Sequence, residues 1–347
     1  MSKTVLHILN TNSYSGAENV AITIIRHFKK KNSDFRLVYV SLDGPIKNVL
    51  QSNGIEFEPI KKVCIKEIKR VVKKYKPAVI HAHDFTASII SALSTCKTPI
   101  ISHIHNNSPW IKKLGVYSIA YGITCLRYKK ILGVSPSVFD EYIFGKCFKN
   151  KELVMPNPID LERIREAANS ATISGAYDVV FLGRLTQSKN PLLFVDIINE
   201  LSKTQKVSAC MIGDGALRDE VERKIKENNL ENIITLVGFI ENPHGILNQS
   251  KILCLPSTWE GFGLVAVEAL ALKKPVVASP VGGIPTIIKG EEGYLCNSKQ
   301  EFVDALEHLL QNKQAYELAS MKALERANEM DNVKTYIETL EGVYNEE

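Results

Sequence analysis

The chain has 347 residues, 45% hydrophobic and 23% charged, which supports a full globular core and is too long for one ordinary domain. Charge is uneven: residues 1–158 hold 24 Lys/Arg against 10 Asp/Glu, and the remainder holds 19 against 28. This composition excludes a disordered or fibrous chain, and the basic first half points to an anionic partner there.

The first ten residues hold an apolar run that His7 interrupts and Asn10 ends, too short for a secretory core. No run of about eighteen apolar residues is present to span a bilayer. In the first half the pattern predicts a strand over 5–9, a loop over 10–15 and a helix over 17–30. A strand over 37–42, a basic-faced helix over 66–74, a strand over 78–82 and a helix over 88–94 follow, then strands over 100–104 and 130–134. Pro156 and Pro158 open a connection that runs through a polar segment to Gly175. A second alternation places strands over 178–182, 207–212, 233–237, 252–255 and 276–278. Its helices fall over 191–201, 219–228, 264–272 and 299–312, and the tail over 314–347 is largely helical. Such alternation makes a parallel sheet covered on both faces, here twice. Open sheets of this kind bind ligands at the carboxyl ends of their strands, and two facing sheets put the ligand in the cleft between them. The seven cysteines include no CxxC pair, and Cys210 and Cys254 sit inside apolar strands, so they read as reduced thiols of a cytosolic protein.

The richest segment runs over 256–269, after an apolar strand and into a helix. It carries Trp259, two carboxylates, Glu260 and Glu268, and between them Gly261 and Gly263. The glycines let backbone approach a ligand, and the helix start offers a positive dipole end to a diphosphate. Glu268, one turn further in, is placed to accept bonds from two neighbouring ribose hydroxyls. A second segment joins strand to helix through Gly183, Arg184 and Lys189. Releasing a nucleoside diphosphate develops negative charge, which an arginine fork and a lysine point charge stabilise. Alone, two such residues would read as a solvated surface; beside the glutamate pair they read as a site.

Weaker signals accompany these. Gly213 lies in a Gly-Asp-Gly turn that structure alone explains equally well. Gly16 opens the first helix, where a plain N-cap turn is the simpler account. His81 and His83, and again His103 and His105, alternate along strands, so each pair shares one face. No carboxylate motif completes a metal site with them, and none is expected. Lys112, Lys113, Arg127, Lys129 and Lys130 flank an apolar stretch over 114–126, and Lys61, Lys62, Lys66, Lys69, Arg70, Lys73, Lys74 and Lys76 form another basic set. These are solvated helix faces or footholds on anionic lipid, at about 1 kcal/mol each.

The segment over 256–269 resembles the E-x7-E signature of the family 4 retaining glycosyltransferases. The segment over 183–189 is similar to that family's G-R-x4-K motif, with Asn190 where glycine is usual. Gly213 matches its G-x-G turn. Ile240, in the run over 237–240, matches the segment whose backbone meets the nucleotide base. Gly282 and Gly283 match a G-G-I-P-E turn in which Thr286 replaces the glutamate. Gly16 falls in a loop similar to G-G-A-E, with Ser15 in place of the first glycine. His105 aligns with a strand-end histidine near the transferred sugar, and Asn106 replaces the common aspartate. The resemblance covers about 5–288.

The resemblance implies an α/β chain of the GT-B fold, two Rossmann-like parallel-sheet domains facing across a cleft. The acceptor would bind in 1–160 and the nucleotide-sugar in 161–325, with a C-terminal helix over 326–347 packing back on the first domain. It implies His105, Arg184, Lys189 and Glu260 as catalytic residues. Gly16, Gly183, Gly213, Ile240, Gly261, Phe262, Gly263, Leu264 and Glu268 would bind the donor. The activity implied is retaining transfer of a hexose or N-acetylhexosamine from a nucleotide-sugar, UDP favoured. The acceptor would be a hydroxyl of a glycan or a polyprenyl-diphosphate-linked saccharide in bacterial surface-polysaccharide synthesis. No cofactor, metal or nucleic acid is expected, and the protein would be cytoplasmic and peripheral on the inner membrane face.

Two competitors are weighed. A nucleotide-linked redox enzyme or epimerase wants G-x-G-x-x-G after the first strand, where this chain has the single Gly16. A non-catalytic GT-B partner of another glycosyltransferase is opposed by intact Glu260, Glu268, Arg184 and Lys189, although Ser15, Asn190 and Thr286 leave room for it.

Overall fold

The computed structural model describes residues 3–13, 15–31, 33–106, 108–171 and 175–346; Tyr14 of the first loop, part of the polar connection and the last tail residue fall outside them. The chain divides into two compact units, one comprising Met1–Pro158 with Asn332–Glu347, the other Ile159–Asp331.

The first unit is built on seven parallel strands: β1 (Lys3–Ile8), β2 (Phe35–Leu42), β3 (Glu56–Ile60), β4 (Val79–Ala82), β5 (Ile100–Ile104), β6 (Tyr128–Gly133) and β7 (Glu152–Val154). They lie in the order β3-β2-β1-β4-β5-β6-β7. The strand order reverses between β1 and β4. Both faces are covered, so β4 and β5 are buried at every position. The pairing sets His7 opposite His81.

The second unit carries six parallel strands: β8 (Val179–Leu182), β9 (Ala209–Ile212), β10 (Ile234–Gly238), β11 (Ile252–Leu255), β12 (Val276–Ala278) and β13 (Gly293–Leu295). Their order is β10-β9-β8-β11-β12-β13, reversing between β8 and β11. Phe181, Phe194, Met211 and Phe302 anchor its core, each essentially without solvent exposure.

The central strands match the sequence reading closely, and the edges do not. That reading lacks β3, β7 and β13, whose burial patterns are broken by exposed positions such as Glu56, Val154 and Tyr294. It also lacks the helices Ile46–Ser52, Val116–Cys125 and His244–Gln249. The segment read as a polar connection contains the helix Leu161–Asn169, begun by Asp160, whose carboxylate accepts from the Arg163 amide at 3.0 Å. This helix buries only Leu161 and Ala168, so its sequence is mostly polar.

The tail splits between the units. Helix Lys313–Glu329 belongs to the second, and helix Val333–Asn345 belongs to the first. The latter buries Tyr336, Ile337, Leu340, Val343 and Tyr344. The Tyr344 ring packs on Phe28 and Phe35, with centroids 5.5 Å from each. Burying a large apolar side chain contributes about 1.5–3 kcal/mol, so this face supplies about 7–15 kcal/mol, as much as a typical domain's whole stability. Truncation before Asn332 is therefore expected to leave the first unit unfolded, which differential scanning calorimetry would register as loss of one of two melting transitions.

Candidate active site

In a parallel sheet every strand ends on the same edge, and the gap where the order reverses is left open by the crossover helices. In the second unit that gap lies between β8 and β11. The loop after β8 carries Gly183, Arg184 and Lys189; the loop after β11 carries Glu260, Gly261, Phe262 and Gly263. The two loops are joined directly. Lys189 Nζ donates to Glu260 Oε1, which also accepts from Ser257 Oγ at 2.9 Å. The Thr258 amide donates to the Ser188 carbonyl at 2.8 Å, and its hydroxyl donates to the Gln187 carbonyl at 3.0 Å. Glu260 is buried, so a paired lysine and a hydroxyl donor are what its charge requires. Arg184 is exposed and, among the described residues, has no carboxylate partner.

Asn190 caps the helix Pro191–Leu201 with φ 51° and ψ 53°, a left-handed conformation. Asparagine tolerates that region better than other side chains do, which explains how it replaces the usual glycine. Gly263 caps helix Leu264–Ala271 with φ 99°. At that helix start the first amides, including that of Leu264, have no partner within the helix. Gly282 is also left-handed, and a Cβ there would sit 1.7 Å from the Glu260 carbonyl oxygen. The turn after β12 therefore presses on the glutamate loop through bare backbone. Thr286, in place of the family's glutamate, donates to the Gly283 carbonyl at 2.7 Å and closes its own turn.

Glu268 stands one turn into the helix Leu264–Ala271, half-buried, with Oε2 3.6 Å from His244 Nε2. The other ring nitrogen of His244 lies 3.0 Å from Asn242 Oδ1. Gly213 follows β9, and its amide donates to the Gly238 carbonyl at 2.8 Å. Ile240 is half-buried in the loop after β10, and Phe262 is buried. The predicted residues of this unit thus share one sheet edge. His244 and Ser257 were not singled out from the sequence. Ser257 lies three positions before Glu260, a spacing that marks a local hydroxyl–carboxylate bond. Nothing local marks His244, which meets Glu268 only through the fold.

The first unit holds the other two predicted residues. Gly16 begins helix Gly16–Lys30 and is exposed. Beside it Ser15, in place of a glycine, donates its hydroxyl to buried Glu18, which also accepts from Thr11 Oγ1 at 2.9 Å. His105 follows β5 and is partly exposed. It forms one end of a histidine array that the sequence reading resolved only into two separate pairs. His7, His81, His83 and His103 are buried, and all five rings pack together with Tyr344. Burial pushes His7 and His105 down to about 3, with Asn157 acting the other way on His105. Burial and the neighbouring rings hold His81, His83 and His103 well below the ordinary histidine range. Two groups, His7/His81/His83 and His83/His103/His105, bring ring nitrogens within 4.8 Å of one another, the proximity a metal ion needs. His83 belongs to both groups, and its two ring nitrogens lie 3.0 Å from His105 Nε2 and 2.8 Å from His7 Nδ1, hydrogen-bonding distances.

Two family models match adjacent parts of the chain: Glycosyltransferase Family 4 over residues 14–163 and Glycosyl transferases group 1 over residues 163–327. An uncharacterized glycosyltransferase of Methanocaldococcus jannaschii is 28% identical over 322 residues, which are 89% of this chain and 80% of the relative. The UDP-Gal:α-D-GlcNAc-diphosphoundecaprenol α-1,3-galactosyltransferase of Escherichia coli is 22% identical, across 89% of this chain and 88% of its own. Among solved structures, Anabaena HepE in complex with UDP and glucose has the same fold. Its TM-score is 0.83 at 19% identity, over 97% of this chain and 98% of that one. The two Rossmann-like parallel sheets are those of the GT-B fold, and the matching family models make the chain a glycosyltransferase, a transferase of the EC 2.4 class. Within that class, the chain belongs to glycosyltransferase family 4.

The five neutral rings make the first unit acid-labile. Each takes a proton in the unfolded chain near pH 6.5 and resists it when folded, so stability falls as pH falls below that value. All five rings act in this direction. Buried Asp84, pushed up to about 6, takes up a proton in the fold and offsets part of the effect. In a Trp259→Phe variant, Trp110 reports on the first unit alone, and its fluorescence is expected to show cooperative unfolding between pH 6.5 and about 5.

Proposed function

We propose that this transferase moves a hexose or N-acetylhexosamine from a UDP-sugar, with retention, to a hydroxyl of a lipid-linked saccharide. The observation that carries the reading is the Lys189–Glu260–Ser257 link at the open gap of the second sheet, beside the free amides at the start of helix Leu264–Ala271. The nucleoside diphosphate leaves with new negative charge. Arg184 forks onto its phosphate oxygens, Lys189 adds a second cation, and the helix amides donate to the same group. These three supply the charge stabilisation, so the step needs no divalent cation. Glu260 sets the position of the Lys189 ammonium, and Glu268 accepts from the ribose hydroxyls. Departure and attack occur on the same face, the leaving phosphate helping to take the acceptor proton. His105 orients the sugar. The E. coli relative's name specifies a UDP-sugar and a diphosphoundecaprenol-linked acceptor, and the HepE complexes hold UDP, UDP-glucose or UDP with glucose.

A lipid-linked acceptor accords with the surface of the first unit. Helix Val116–Cys125 and its flanks present Leu114, Val116, Tyr117, Ile123 and Leu126 to solvent, Val116 at 82% exposure. No helix among the described residues is long and apolar enough to cross a membrane. The flanking cations are largely engaged. Arg127 donates to the Cys96 carbonyl at 2.8 Å, Lys129 to the Val343 carbonyl at 2.9 Å, and Lys112 pairs with Glu141 at 3.2 Å. Bilayer contact here therefore rests on the apolar face, with charge secondary.

Arg184→Ala and Lys189→Ala are each expected to lower kcat by about 10²–10³; Arg184→Ala leaves the melting temperature unchanged, whereas Lys189→Ala lowers it because buried Glu260 loses its paired cation. Near-normal turnover in both would sink the electrostatic account. UDP is expected to raise the melting temperature of the wild-type chain, and Glu268→Ala to weaken UDP about 10–100-fold by removing charge-assisted bonds. Val116→Asp with Ile123→Asp is expected to abolish co-sedimentation with phosphatidylglycerol-containing vesicles while transfer to a short water-soluble acceptor persists.

A further inference from the structure

In the last turn of helix Lys313–Glu329, Arg326 is half-buried, its side chain 16% exposed, and its guanidinium is divided among three acceptors. Nε donates to the Ile287 carbonyl at 2.9 Å, Nη2 to the Thr286 carbonyl at 2.6 Å, and Nη1 to Glu329 Oε2 at 2.7 Å.

The two carbonyls end the four-residue helix Ile284–Ile287. The last carbonyls of a helix have no donor within it. Here the amides that follow are drawn elsewhere. The Gly290 amide, which would bond the Thr286 carbonyl if the helix went on, donates to Glu292 Oε1 at 3.1 Å, and the Lys289 amide donates to the same oxygen. Arg326 supplies the missing donors, and its planar fork suits two successive carbonyls where an ammonium would reach one.

The helix that Arg326 holds is the one that bears on the glutamate loop. The Gly283 amide donates to the Gly261 carbonyl at 3.0 Å. A Cβ on Gly283 would lie 2.6 Å from the Phe262 carbonyl oxygen, and one on Gly263 would lie 2.5 Å from Ile284 Cδ1 and 3.3 Å from Ile287 Cδ1. Gly282 approaches Glu260 as closely. These contacts leave no room for a methyl group, so a shift of helix Ile284–Ile287 passes to residues 260–263 instead of being absorbed. Helix Lys313–Glu329 also packs on helix Leu264–Ala271, into which the same loop runs. It therefore touches both elements that set the loop's shape.

We propose that Arg326 is a positioning residue: through the Thr286 and Ile287 carbonyls it fixes helix Ile284–Ile287, and so holds residues 260–263 in the shape that takes the donor's diphosphate. The diphosphate rests on the functional reading above; the coupling of Arg326 to the loop does not. Thr286, where the family's motif has a carboxylate, serves here through its carbonyl.

The test is hydrogen–deuterium exchange of the full chain, with UDP affinity from calorimetry, in wild type, Arg326→Met and Arg326→Lys. Arg326→Met removes every donor and is expected to speed exchange about tenfold in residues 256–269 as well as in 283–290, with protection of β8 and β11 unchanged. A loop that keeps its binding shape a tenth of the time binds about tenfold more weakly, which is the loss of UDP affinity expected, and saturating UDP should restore protection of 256–269. Arg326→Lys keeps the charge and one bond, and is expected to fall between. Glu329→Gln leaves both carbonyl bonds and is expected to match wild type. Faster exchange confined to 283–290 would make Arg326 a local cap and overturn the proposal. Wild-type UDP affinity in Arg326→Met, or equal loss of protection across the whole second unit in both Arg326 variants, would overturn it too. Were wild type itself to bind no UDP, the functional reading would fail, and exchange in 256–269 alone would uphold or overturn the role of Arg326.

Discussion

Parallel pairing is the constraint from which the rest follows. Strands that all run one way must be crossed over by helices, both faces are then covered, and every carboxyl end emerges at one edge. Where the crossovers change direction, no helix closes the edge. The reversal between β8 and β11 holds Lys189 and Glu260, and the reversal between β1 and β4 holds His7, His81 and His83. Neither group has a local reason to assemble. Each is gathered because the sheet brings the ends of non-consecutive strands side by side.

Departures from the family's motifs keep the backbone shape that the motifs encode. Asn190 occupies a left-handed cap in place of glycine. Ser15 replaces another glycine and uses its hydroxyl to hold Glu18. Thr286 replaces a glutamate and closes a turn on Gly283. Ser15 and Thr286 are satisfied within their own loops, and Asn190 serves through its backbone conformation. They therefore do not remove the lysine–glutamate link or alter the start of helix Leu264–Ala271, the features that stabilise a leaving diphosphate.

Central strands were legible because burial on both faces writes a continuous apolar run, as in β4, β5, β8 and β11. Edge strands were not, since β3 interleaves Glu56 and Glu58 with apolar residues and β13 exposes Tyr294 and Leu295. Site residues that follow a strand directly, such as Arg184, Lys189 and Glu260, were legible from strand, turn and helix in succession. The alternation of His81 with His83 and of His103 with His105 marked their shared faces. Nothing in the sequence marked that His7 and Tyr344 join them, because register and the return of the last helix are set by the tertiary fold. The same limit hid His244 beside Glu268.

Helix Val333–Asn345 has a consequence for how the protein is made. The strands of the first unit leave the ribosome early, yet the Tyr344 ring that packs on Phe28 and Phe35 is translated only after all of Ile159–Asp331. The second unit is contiguous and can close its core during synthesis, whereas the first must wait with part of an apolar face uncovered. Joining segments this far apart carries a loop-closure cost that rises with the logarithm of the intervening length, and a folded insert shortens that length. The domain synthesised first is thus the domain completed last, and the interval between is when it most needs a chaperone.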